Sequence, residues 1–322
     1  MAIYEHLTEF AGLPVVEFPS PDSAVLRDAL AAPETVAWRL HTLPHEDEAT
    51  FEEILVSFLD EVDAAKVTAL IVGCWSEFDG YPGAAPRDPL VAHADRFPAL
   101  RSLFFGEFVM EEAEISWIQQ CDVAPLLAAF PRLEEFVVRG GSGLEFPATR
   151  HGSLRRLTVQ TGGLPREVTT GVLASDLPAL EHLELWFGID WYGGTTEVSD
   201  LAPLLEGEGF PNLRSLGLRN SPWGDDLVRA LAGAPVLERV RVLDLSGNVL
   251  TDAGGEVLAT APAFHTLERL VIRYHFLTEA MEERLRAALP GVDLHLSERE
   301  EPDHDVDDDG TEILVYYPEV TE

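Results

Sequence analysis

A short strand rhythm recurs along most of this chain, and recurrence at a near-fixed period leaves few folds open. It appears in VTALIVGC (67–74), LRSLFFGE (100–107), LEEFVVRG (133–140), LRRLTVQT (154–161), LEHLELWF (180–187), LRSLGLRN (213–220), VRVLDLSG (240–247) and LERLVIRY (267–274). The starts are 33, 33, 21, 26, 33, 27 and 27 residues apart. Trp223, Leu250 and Leu277 keep the 27-residue step, as do Leu231, Leu258 and Leu285. Between these strands, WGDDLVRALAGAP, LTDAGGEVLATAP and LTEAMEERLRAALP have helical apolar spacing. Thr251 or Asp252, and Thr278, can cap free N–H groups, and Pro235, Pro262 and Pro290 stop the helices. One unit cannot bury its apolar face alone, so the units must stack. The expected fold is α/β, with about nine or ten parallel strands in one curved sheet and helices and irregular turns on the convex side.

The segment VRVLDLSGNVLTDAGGEVLA resembles the leucine-rich repeat, and the 27-residue period is similar to the ribonuclease-inhibitor-like subclass. The resemblance covers roughly 65–297 and implies a leucine-rich-repeat solenoid. The family's corner Asn falls at Trp75, Phe108, Gly141, Gly162, Gly188, Ser221, Asn248 and His275, so only one copy keeps it. Irregular central coils are therefore expected, with loops 106–130 and 188–210 interrupting the ladder. The chain also resembles a bacterial leucine-rich-repeat family encoded near radical-SAM and sulfatase-like enzymes, a resemblance that implies no activity. TVAWRLHTL (35–43) and the amphipathic 47–66 read as a first coil. The organisation is then an N-terminal cap over 1–34, the solenoid over 35–297, and an acidic linker with a C-terminal strand over 298–322.

Acids outnumber bases 57 to 22, for a net charge of −35. Such a field repels nucleic acid and anionic membrane surfaces. There is no apolar run of membrane-spanning length and no leader-like N-terminus, and two cysteines make no disulfide scaffold, so a cytoplasmic protein is expected. DVDDDG (305–310) imitates the start of a calcium loop, but Tyr316 stands where the bidentate Glu belongs, and a solvated linker is the simpler reading. His41 and His45 are separated by Pro44 and make no ligand pair. The glycine pairs lack the Lys-Ser/Thr of a phosphate loop, and no nucleophile elbow occurs. The sequence thus predicts no cofactor, no metal and no catalytic residues.

Strand alternation puts the third, fifth, seventh and eighth positions of each LxxLxLxx unit on the concave face or its rim. That set holds Arg139, Arg156, Arg219, Arg269 and Arg273 against four acids, Glu107, Glu135, Glu184 and Asp244. It also holds Phe104, Trp186, Phe187 and Tyr274. Arg and aromatics dominate binding hot spots, although Arg–Glu pairs can also serve only as a cross-strand ladder. The preferred reading is a non-catalytic scaffold gripping a protein or peptide partner. That partner carries carboxylates for Arg139, Arg156 and Arg219 beside an apolar anchor near Trp186 and Phe187. The alternative is an enzyme or accessory subunit with a site formed by the long loops 75–97 and 188–210.

Overall fold

The strand rhythm becomes strand register. The computed structural model describes residues 3–20, 22–42, 49–75, 82–306 and 310–321. Among these, twelve strands join one open sheet in chain order: β1 (Glu9–Phe10), β2 (Leu13–Phe18), β3 (Ala37–Leu40), β4 (Ala69–Val72), β5 (Ser102–Phe105), β6 (Glu135–Arg139), β7 (Arg156–Gln160), β8 (His182–Trp186), β9 (Ser215–Arg219), β10 (Val242–Asp244), β11 (Arg269–His275) and β12 (Asp293–Arg299). β1 is antiparallel to β2, and every later pairing is parallel. Val242 pairs with Ser215 and with Arg269, each one 27-residue step away, and Ser102 pairs with Ala69 and Glu135 at the 33-residue step. The strand count exceeds nine or ten because LPVVEF and DLHLSER extend the sheet by alternation alone, without the leucine pattern. A separate antiparallel pair, β13 (Asp303–Val306) with β14 (Glu312–Val315), lies in the acidic linker, whose Asp307 and Asp309 are outside the described residues.

Register stacks Leu216, Leu243 and Leu270 side by side, all fully buried, and helical leucines such as Leu231, Leu258 and Leu285 close the same core. The helices Gly224–Leu231, Asp252–Thr260 and Glu279–Ala288 follow their strands in step. Thr251 caps the second through Ala253 N, and Thr278 caps the third through Met281 N. Each cap is tied to the preceding repeat. The Asp225 carboxylate accepts from Thr251 N and Oγ1, and one repeat later Asp252 does the same for Thr278. Asn248 fills its buried corner: Oδ1 accepts from Ser221 N and Oγ, while Nδ2 donates to Leu218 O and Leu245 O. Among the described residues, no helix is long and apolar enough to cross a membrane.

Both ends of the described chain return over the non-helical face of the sheet. Phe10 packs on Ala37, Ala69, Ile71, Phe104 and Val137, all on the face opposite the main core. Ile3 and Val320 meet over Ile115 and Trp186. These two covers define what the face can do.

Candidate functional site

Over β3–β6 the face is closed around a carboxylate. Glu107 is 0% exposed and receives Arg39 Nη2 at 3.0 Å, Leu7 N at 2.9 Å and His6 Nδ1 at 3.0 Å. Burial pushes its carboxyl up, but the His6 hydrogen bond, the Arg39 charge and the Leu7 N–H outweigh that and hold it below the usual range. His6 is pushed up to about 9, first by its hydrogen bonds to Glu107 and Glu112. Arg139 belongs to this sealed half. It lies over the Phe104 ring at 4.9 Å and donates to Phe108 O at 2.6 Å and Gln160 Oε1 at 2.9 Å. Burial pulls its guanidinium down to about 10. Both are buried, Phe104 beneath Phe10 and Arg139 beside Phe108, so neither is open to a partner.

Over β8–β11 the cover is of a different kind. Arg219 stacks 4.5 Å over the Trp186 ring, whose Nε1 donates to Glu184 Oε1 at 2.7 Å. The Arg219 fork sits loosely among Glu184 (3.4 Å), Glu319 (3.6 Å) and Asp244 (3.9 Å), and its buried Nε has no hydrogen-bond partner. Arg273 reaches Glu319 at 3.1 Å and Glu298 at 3.5 Å. Glu319 N donates to Gly247 O at 3.0 Å. The next residue is clamped through its backbone: Val320 N donates to Asn220 Oδ1 at 2.7 Å, and Asn220 Nδ2 donates to Val320 O at 2.6 Å. Ser116 Oγ then donates to Thr321 O at 2.9 Å. Asn220 holds this pose at φ +57°, the left-handed conformation that the same repeat position adopts at Gly140, Gly247 and Tyr274 and that Asn tolerates well.

The remaining predicted residues separate. Arg156 is half exposed but forms a two-pronged bridge to Glu135, at 2.9 and 3.0 Å, and Arg269 lies 3.4 Å from Asp293. Both pairs match the cross-strand ladder. Tyr274, at φ +54°, is in edge contact with Phe276, and burial pushes its phenol up to about 12. Phe187 corrects the sequence-derived face: β8 ends at Trp186, so alternation no longer holds, and Phe187 turns into the main core against Trp223 at 4.7 Å. Trp186, Arg219 and Arg273 thus converge, whereas Phe104 and Arg139 lie under the other cover.

Of the first long loop, residues 76–81 lie outside the described residues, as does His45. The remainder forms the helix Ala84–Ala92, anchored by buried Pro86 and Leu90. The second long loop is more open. A cleft of about 830 Å³ runs along residues 188–197, with Arg166, Trp223 and Tyr316–Pro318 on its other walls. A second cleft of about 520 Å³ lies between Trp117 and Trp191, the latter 84% exposed.

Strand alternation puts Asn220 on the concave rim without giving it a role, and no pattern singles out Ser116, Glu319 or Val320. Asn220 stood at a strand's eighth position, one before the corner. A side chain there that can bond backbone in both directions was the available signal. Its partner lies 100 residues on, beyond any local pattern.

No protein-family model and no curated protein matches the chain. Among solved structures, the chain is similar to a crystal structure of a protein from Bacteroides fragilis, at 28% identity and a TM-score of 0.75, over 82% of this chain and 74% of that one. That likeness, with the sheet described above, is compatible with a repeat solenoid of parallel strands.

Proposed function

We propose that the chain is a leucine-rich-repeat solenoid of the ribonuclease-inhibitor-like subclass, akin to the bacterial family named above. In this reading it is a non-catalytic, cytoplasmic scaffold that grips a protein or peptide partner on its concave, non-helical face. The subclass is supported by the 27-residue register and by the Asn248 corner. The cytoplasmic setting is supported only by the scarcity of cysteine, two in 322 residues. The observation that carries the function is the Asn220 clamp. A carboxamide that bonds both the N–H and the C=O of one residue reads a peptide backbone, whatever its side chains. Around it, Arg219, Arg273 and Trp186 provide the charge and the apolar surface that hot spots use.

The test is a selection of displayed random peptides on the immobilised full chain. Enriched peptides are expected to bind the Arg219→Glu chain at least tenfold more weakly, since a reversed charge adds repulsion to the lost attraction. Equal binding to both chains would move the recognition surface off this face. The second reading, an enzyme or accessory subunit using the loops, is supported by the 830 Å³ cleft along 188–197. It requires turnover of a small molecule that is lost when 188–196 is shortened.

A further inference from the structure

Residues 316–321 bind the sheet as a ligand binds a receptor. β13 is exposed throughout and β14 everywhere except at Val315, yet Pro318, Glu319 and Val320 are buried. The segment adds no strand to the sheet. Asn220 takes the backbone of residue 320, which almost any residue would present, and side-chain niches do the selecting. Arg219 and Arg273 face the acid at 319, and Ile3, Ile115 and Trp186 surround the aliphatic group at 320. The floor is close beneath the segment: a Cβ on Gly162 would collide with Ser116 Oγ and stand 2.8 Å from Thr321 O, and one on Gly247 would stand 3.0 Å from a Glu319 carboxylate oxygen.

We infer that this site recognises a protein segment, bent at an acid that a β-branched aliphatic residue follows, and that the chain's own Pro318–Thr321 occupies it in cis. The inference rests on the scaffold reading above. A partner of this chemistry binds by displacing the segment. A tethered occupant competes at an effective concentration that reaches millimolar for short flexible linkers. The partner's apparent affinity is therefore reduced by the fraction of chains whose site is open. Whatever lifts residues 318–321 off the face raises that fraction, so the segment sets the threshold for binding.

The experiment uses the full chain and, as probe, a fluorescently labelled peptide amide of sequence YYPEVT, followed by anisotropy. Two release variants are compared with wild type: Val320→Asp, which puts a charge into the Ile115/Trp186 niche, and Glu319→Arg, which faces Arg219 and Arg273. Both are expected to bind the peptide at least about tenfold more tightly than wild type. Adding Asn220→Gly, which suits the φ of +57° while removing the clamp, should abolish that binding. Val320 N–H exchange should speed up in both release variants while their melting temperatures stay close to wild type. Equal affinity in wild type and both variants, still lost with Asn220→Gly, would overturn occupancy in cis and leave the scaffold reading intact. Absence of peptide binding in folded release variants would overturn the inferred chemistry, and the display selection would then judge the scaffold reading separately.

Discussion

Over β3–β6 the non-helical face is closed by Leu7 and Phe10, whereas over β8–β11 it is closed by Glu319 and Val320. The first cover buries an aromatic against five residues of the sheet and completes the ligation of a fully buried carboxylate. Lifting it would take the Leu7 N–H and the His6 imidazole from the fully buried Glu107, and the Leu7 carbonyl from Arg39, itself 2% exposed. The second cover leaves no such debt. Without Glu319, Arg219 still has Glu184 and Asp244, and Arg273 still has Glu298. A fully buried charge that loses hydrogen-bond partners is costly, while one that keeps its carboxylates is not. The first cover is therefore part of the fold, and the second is a contact the fold can do without.

That contrast can be broken in four ways. Glu107→Ala should have the largest effect, destabilising by about 3–5 kcal/mol through the uncompensated Arg39. Urea unfolding measures it, and a loss near zero would make the two covers equivalent. Leu243→Ala cuts into the main core on the opposite face of the sheet, at β10, and should cost about 2–5 kcal/mol globally, with amide exchange rising at Leu7 and Val320 together. Val320→Ala removes two methyl carbons from a small niche and should cost no more than about 1.5 kcal/mol globally. Its exchange effect should be confined to 318–321, and spread into β3–β6 would contradict the separation.

The smallest effect is on pH. His6 has its pKa raised from 6.5 to about 9 in the folded chain, because Glu107 and Glu112 favour the imidazolium. Its stabilisation is thus fully present below pH 6.5 and is lost as pH rises through about 9. Leu7 amide exchange, corrected for its intrinsic pH dependence, should accelerate across that window while Val320 exchange does not. A His6→Gln chain should show no such transition.

The sheet could be read from the sequence because leucine-rich units repeat locally: the steps of 33, 21, 26 and 27 residues are the steps by which paired strands are offset. Thr251 and Thr278 were legible as caps for the same reason, since each acts within its own helix start. The Asp225–Thr251 and Asp252–Thr278 bridges were not, because they join adjacent repeats through polar side chains that leave no hydrophobic period. The face was half legible. Alternation placed Arg219 and Trp186 on it. That Glu319 and Val320 pack against them was hidden, since the contact spans up to 205 residues of chain, as between Ser116 and Thr321. Phe187 was misplaced where alternation was carried one residue past the end of a strand.

The Asn220 carboxamide reads a peptide backbone, and residue 320 occupies it in cis. The most direct measurement is the Asn220 side-chain amide resonance in wild type and Val320→Asp chains, with and without the YYPEVT peptide. The account predicts that Val320→Asp shifts this resonance and that saturating peptide returns it toward the wild-type position. A resonance unmoved by the substitution, or unmoved while the peptide is demonstrably bound, would contradict it.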